Sequence, residues 1–341
     1  MGEEQYTRNG NALWATERGA YHSARALRPG ALAHAQRLRQ PPPVRVLVTG
    51  AGGFVGKTLL PRLASAGHEC TGCDLEVDVT NAAAVAAVVV KVAPDAIVHL
   101  AALSSVAASH RAAEQTYRVN FLGTRSVLEA ALHRAPHCRV LVVGSGDEYG
   151  SNPPGAAPLA ESAPLRPHSP YSRTKACADL LGAVYAQRGL DVVRTRPFNH
   201  TGPGQLDSFV ASSFARQLAE IEVGRRPPRM LVGNLESVRD FLDVEDVVEA
   251  YALLLEPSAP PDAYNVASGR GVRIGDILTR LLDRSYIQPQ VEVDPERLRP
   301  ADHAVGDASR LRAATGWTPR VPISATLAHL FEDWRVRVRA A

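Results

Sequence analysis

The segment that most restricts the fold begins at Val44. Val44-Arg45-Val46-Leu47-Val48 is a short β-branched run that leads through Thr49 into Gly50-Ala51-Gly52-Gly53-Phe54-Val55-Gly56, and an amphipathic stretch over 57–67 follows. A strand that turns on glycine directly into a helix leaves little choice of architecture. Glycines at 50, 53 and 56 let the backbone come close to a bound group, while the helix start offers N–H donors and a partial positive charge. That combination suits a pyrophosphate. Gly50, Gly53, Phe54, Val55 and Gly56 are therefore expected against a dinucleotide.

The same alternation continues downstream. The pattern predicts strands over 68–74, 96–100, 139–143 and 191–195, with helices over 81–92, over 112–132 and from near Tyr171. The strands are continuously apolar rather than alternating, as in a parallel sheet covered on both faces. The expected fold class is α/β, a doubly wound parallel sheet. Beyond Asn199 the chain becomes irregular and richer in Pro, Arg and Gly, which marks the part expected to recognise substrate. Residues 1–42 lack sustained periodicity and run into Pro41-Pro42-Pro43; they read as a mobile N-terminal extension.

Composition excludes several classes. A net charge of +3, without a basic run interleaved with aromatics, argues against nucleic acid. The longest apolar run, over 82–90, is half a membrane span, so no membrane partner is expected. Cys70, Cys73, Cys138 and Cys177 suggest a reducing, cytoplasmic compartment. Cys70 and Cys73 form a CxxC, but no second pair completes a ligand set, so no metal is expected. Of the 38 basic residues only Lys57, Lys91 and Lys175 are lysines, which singles each of them out.

One lysine falls in a reactive pattern. In Tyr171-Ser172-Arg173-Thr174-Lys175 a helix would set phenol and ammonium one turn apart on one face. A phenol ionises near about pH 10, and a nearby ammonium favours its anion, tuning it for proton transfer at a carbonyl. Ser145, after the strand over 139–143, can hydrogen-bond the reacting oxygen. Asp74 ends the second strand, where an acid meets ribose hydroxyls, and no arginine follows closely to accept a 2′-phosphate; NAD(H) is favoured, with NADP(H) left open. Asp78 can reach the adenine amino group. Alternatively, Asp74 or Asp78 caps the helix that starts near Asn81.

Together with His99-Leu100-Ala101-Ala102, Val119 through Thr124 and Ser169 through Lys175, these motifs resemble the extended short-chain dehydrogenase/reductases, from about Val44 to Trp334. Arg196 through Gln205, Val232 through Phe241 and Leu298 through Asp302 narrow the likeness to the GDP-4-dehydro-6-deoxy-D-mannose reductases within that family. The resemblance implies a Rossmann-type domain over 43–199 and 237–267 and a smaller nucleotide-sugar lobe over 200–236 and 268–341. It implies hydride transfer to C4 of a GDP-linked 4-keto-6-deoxyhexose, with Ser145, Tyr171 and Lys175 catalytic. Leu100, Ala101, Ala102 and Pro197 would join Tyr171 and Lys175 along the cofactor. Ser104, Asn199, Arg239, Arg299 and Asp302 would hold the substrate, arginine suiting diphosphate through its planar fork. A homodimer through helices near 112–132 and 171–188 is also implied.

Two other activities compete. GDP-mannose 4,6-dehydratases resemble this chain too, but place a glutamate two positions after their active hydroxyl, where Asp147 stands here; the adjacent Glu148 leaves that alternative open. A non-catalytic nucleotide-binding regulator would be expected to lack Tyr171 or Lys175.

Overall fold

The computed structural model describes residues 44–153 and 155–340; the expected extension over 1–42 lies outside them. Twelve strands occur among these residues. The first five are β1 (Arg45–Thr49), β2 (Glu69–Cys73), β3 (Ala96–His99), β4 (Arg139–Val143) and β5 (Val192–Pro197). Next come β6 (Asn199–Thr201), β7 (Arg229–Val232), β8 (Val238–Asp243) and β9 (Ala263–Val266). The last are β10 (Gly271–Arg273), β11 (Gln290–Val293) and β12 (His303–Ala304). Six form one sheet in the order β2-β1-β3-β4-β5-β9, with every neighbouring pair parallel. The strand order reverses between β1 and β3. Ligands bind such sheets outside the carboxyl ends of the strands at that reversal.

Burial explains the continuous apolar runs. Val46 and Val48 enter one core with Leu59 and Leu63 of α1 (Phe54–Ser65). Leu47 enters the opposite core with Val85 and Val89 of α2 (Ala82–Val92). Successive strand residues point to opposite faces, so a sheet covered on both sides needs an apolar residue at every position. The same alternation separates the CxxC, with Cys70 packing in the first core and Cys73 in the second. Among the described residues no group of three or more His, Cys, Asp or Glu side chains gathers as a metal site. No helix among them is long and apolar enough to cross a membrane.

The helix expected over 112–132 is broken. α3 (Val106–Arg111) precedes it, and α4 (Ala113–Tyr117), a π-helical turn (Arg118–Leu122) and α5 (Gly123–Arg134) make it up. The π turn turns Asn120 inward, where it bonds two neighbouring segments. A periodicity count does not reveal such a displacement. The next helix, α6 (Pro170–Gln187), starts with Ser169 accepting from the Ser172 N–H at 3.0 Å and with proline in its first turn.

A third core joins α7 (Val210–Glu222), β7, α9 (Ile274–Leu282) and α11 (Ile323–Ala340). α9 buries Ile274, Ile277, Leu278 and Leu281, one helical stripe. Truncating Leu281 to alanine would cost roughly 2–5 kcal/mol. Packing divides the chain differently from the segments expected. Ala304, Ala308, Leu311 of α10 (Ser309–Thr315) and Trp317 were expected in the lobe, yet they pack in the core of the sheet and of α8 (Val244–Leu255). β8 spans both cores, with Phe241 in one and Leu242 in the other.

Candidate active site

One long cleft runs over the carboxyl ends of β1, β3, β4 and β5 to the third core, and the glycine loop forms one end of it. Gly50 has φ +69°, and a Cβ there would stand 2.6 Å from the Ala101 amide nitrogen. A Cβ on Gly56 would meet Ala51 and Gly50 carbonyl oxygens at 2.5 and 2.7 Å. Only glycine lets β1, the loop and the segment after β3 come this close. Gly53 precedes α1 without a side-chain cap, so the first N–H groups of that helix are available to an anion. Phe54 and Val55 also line the cleft, and Phe54 stacks at 6.2 Å on His200 of β6.

Asp74 follows β2, and its carboxylate occupies the space beside the Gly52 Cα where a Cβ would project. Asp78 is exposed and accepts from the Thr80 N–H and hydroxyl at 2.9 and 2.8 Å. The alternative that either aspartate caps the next helix fails: Asn81 does so, accepting from Ala83 and Ala84. Both aspartates line the cleft, with Leu100, Ala101, Ala102 and Pro197.

At the middle of the cleft Ser145, Tyr171 and Lys175 converge. The Ser145 side chain stands beside the Tyr171 phenol and accepts from the Asp147 N–H at 3.1 Å. The Lys175 ammonium donates to the Val143 carbonyl at 2.8 Å. Burial brings its pKa down to about 8, opposed by the negative charge of Glu148. Tyr171 departs from expectation. Burial pushes its phenol above the ordinary value, Asp147 adds to that, and the neighbouring Ser145 hydroxyl opposes it. In the protein itself the phenol therefore keeps its proton.

Asp147 and Glu148 differ in their surroundings. Asp147 lines the cleft, its carboxyl raised by burial against the pull of Arg239 and His168. Glu148 is fully buried and accepts from the Ser145 N–H at 2.7 Å. It has no access to the cleft.

Toward the third core, Arg239 of β8 pairs with Asp302, while its Nη1 is buried without a hydrogen-bond partner. Arg299 is exposed and donates to the Glu296 and Leu298 carbonyls, both at 2.9 Å. Ser104 and Asn199 line the same cleft.

Comparison with known proteins identifies the family. Residues 46–267 match the profile of the NAD dependent epimerase/dehydratase family. The chain belongs to that family. It is 36% identical over 300 residues to GDP-6-deoxy-D-mannose reductase of Pseudomonas aeruginosa, covering 86% of this chain and 98% of that one. It is 32% identical over 255 residues to GDP-mannose 4,6 dehydratase 2 of Arabidopsis thaliana, covering 72% and 66%. The solved structure of RMD from Pseudomonas aeruginosa complexed with NADPH superposes with TM-score 0.78 at 34% identity, over 86% of this chain and 99% of that one.

Within this member of the epimerase/dehydratase family, three residues bear on the site that the sequence had not placed among its site residues. Asn120 Nδ2 donates to the Leu103 carbonyl and to Thr174 Oγ1 at 3.1 and 3.0 Å, and its Oδ1 accepts from Leu103 at 2.8 Å. It thereby ties the cleft wall to the helix turn between Tyr171 and Lys175. His200 and Glu148 are the others. Asn120 and His200 lie within quoted motifs, but only contacts across the fold distinguish them from their neighbours.

Proposed function

We propose that the protein reduces the C4 ketone of GDP-4-dehydro-6-deoxy-D-mannose to give GDP-D-rhamnose. The carrying observation is that Ser145, Tyr171 and the buried Lys175 line one cleft together with the glycine loop. Near full-length likeness to a GDP-6-deoxy-D-mannose reductase supports the choice of substrate. A nicotinamide dinucleotide fits the uncapped helix start and the backbone cradle at Gly50 and Gly56. When bound it supplies hydride.

The chain's own residues do the rest. Ser145 holds the ketone oxygen, and Tyr171 delivers the proton to that oxygen as it becomes an alkoxide. A phenol raised by burial arrives protonated, as reduction requires. Lys175 orients the cofactor ribose. Arg239, with its unpartnered buried Nη1, and Arg299 take the diphosphate, helped by Asn199 and Ser104, while Asp302 takes a ribose hydroxyl. Asp74, at the adenosine end, favours NAD(H) by repelling a 2′-phosphate, with Asp78 beside the adenine. The NADPH complex of the Pseudomonas protein makes NADPH the necessary second cofactor to assay. The dehydratase reading is disfavoured because the buried Glu148 cannot reach substrate, leaving only the shorter Asp147.

The test is loss of nicotinamide absorbance, with each cofactor, on adding GDP-4-dehydro-6-deoxy-D-mannose, followed by product identification. GDP-mannose given instead should remain unchanged; its conversion to the 4-keto sugar would reverse the assignment. Four exposed apolar side chains, Tyr117, Leu122, Leu180 and Val184, on the two helical segments expected to pair support a homodimer. Light scattering at rising concentration checks it. The four free cysteines support a cytoplasmic location, checked by cell fractionation.

A further inference from the structure

Beneath the cleft floor lies a buried charged cluster that the proposed chemistry does not use. Glu148 is 0% exposed, Asp179 1% and Arg196 5%. Arg196 Nε stands 2.6 Å from Asp179 and 3.6 Å from Glu148 Oε2, and Arg194 donates to Asp179 at 2.6 Å. Glu148 Oε2 has no hydrogen-bond partner, although it lies in the protein interior. A carboxylate is seldom kept in such a place without compensation, because desolvation costs several kcal/mol. Its other oxygen is committed: Oε1 accepts from the Ser145 N–H at 2.7 Å. The fold makes room for that bond, since a Cβ on Gly144 would collide with Glu148 Oε1 and stand 2.9 Å from the Thr195 carbonyl.

We propose that Glu148 is a positioning residue for the proposed catalytic centre: from beneath the floor its carboxylate grips the Ser145 backbone, so that the hydroxyl meets Tyr171, and supplies a negative charge within reach of the Lys175 ammonium. The proposal rests on Ser145, Tyr171 and Lys175 being that centre. Ser145 follows β4 in extended conformation, φ −162° and ψ 145°, and its hydroxyl also bonds the Asp147 N–H. Two anchors, one on the backbone and one on the side chain, fix where the oxygen points. The groups facing Glu148 are Arg196 of β5, Asp179, Lys175 and Tyr171 of α6, and Tyr149 on its own turn. Arg196, 3.6 Å from Glu148 Oε2, is the cation that favours the carboxylate form. Burial and Asp179 push its carboxyl above the usual range, opposed by Arg196, the Ser145 N–H and Lys175.

Two variants and two readouts test this. Glu148→Gln keeps an acceptor for the Ser145 N–H and removes the charge; Glu148→Leu removes both. At a pH well below the Lys175 midpoint, Glu148→Leu should lose kcat by roughly 10²-fold with KM little changed, the cost of a misplaced polar group. Glu148→Gln should recover to within severalfold of the unaltered enzyme. Equal losses in both, or a Leu variant at full kcat, would overturn the grip on Ser145. Because the chain has only Lys57, Lys91 and Lys175, labelling with ε-¹³C-lysine gives three titrating signals, assigned through Lys175→Arg. The Lys175 midpoint, about 8 in the unaltered protein, should fall further in Glu148→Gln. An unmoved midpoint would refute the charge, and this reading stands even if Glu148→Leu does not fold. The NMR titration needs no substrate. It still decides the matter if the unaltered protein fails to reduce the ketosugar, a result that would count against the proposed function instead.

Discussion

At the glycine loop the cleft wall is backbone, whereas between β8 and β12 it is side chain. Around Gly50 and Gly56 main-chain atoms approach so closely that no Cβ fits. Around Arg239 and Asp302 the wall is an ion pair of flexible groups, and Arg299 rests on nearby carbonyls. The first kind of wall is shaped before any ligand arrives and does not adapt. The second must exchange internal partners for external ones, so its contribution to binding is a difference between two sets of bonds. Rigid recognition of the part common to many substrates and adjustable recognition of the part that varies follow from those two constructions.

Tyr171 lies where the two walls meet, and its loss should have the largest effect. Tyr171→Phe removes one hydroxyl and keeps the ring, so GDP-sugar affinity should hardly change while kcat falls by roughly 10²- to 10⁴-fold. A near-normal kcat would leave the cleft as a binding site only. Gly50→Val comes next. Its side chain is forced into a positive-φ position against the Ala101 backbone, costing about 1–3 kcal/mol or more. Cofactor affinity should fall at least tenfold by calorimetry with the GDP-sugar site intact. An equal loss at both sites would mean that the two walls are not independent.

Arg239→Met should show the converse. Losing charge-assisted bonds to a diphosphate costs about 1.5–3 kcal/mol, so KM for the GDP-sugar should rise roughly 10- to 100-fold while cofactor affinity holds. The pH profile is a gentler probe. Lys175 has its pKa depressed to about 8, so kcat/KM should decline as pH rises through that value, while Tyr171 keeps its proton. A depressed lysine also binds fewer protons folded than unfolded between about 8 and the ordinary value of 10.5, so its charge opposes folding at neutral pH. Lys175→Met should accordingly raise the thermal midpoint at neutral pH while weakening cofactor binding; a lowered midpoint would contradict the burial argument. Arg299→Ala should change KM least, less than tenfold, because an exposed charge is screened by solvent and salt.

The sequence alone determined the parts that depend on local order along the chain. Glycine spacing after a β-branched run specifies strand, turn and helix because main-chain sterics act over a few residues. Uninterrupted apolar strands specify a sheet covered on both sides because side chains alternate with period two. Tyr171 and Lys175 share a helix face through the same kind of local geometry. Tertiary structure decided what depends on contacts between distant segments. Adjacent carboxylates at 147 and 148 look alike in the chain, yet one lines the cleft and the other is locked under Ser145 by β5 and α6. The π turn that brings Asn120 to Leu103 and Thr174, and the burial that raises rather than lowers the Tyr171 phenol, depend likewise on what packs around them. Electrostatics and desolvation act through space, and distances through space are set only once the sheet has assembled.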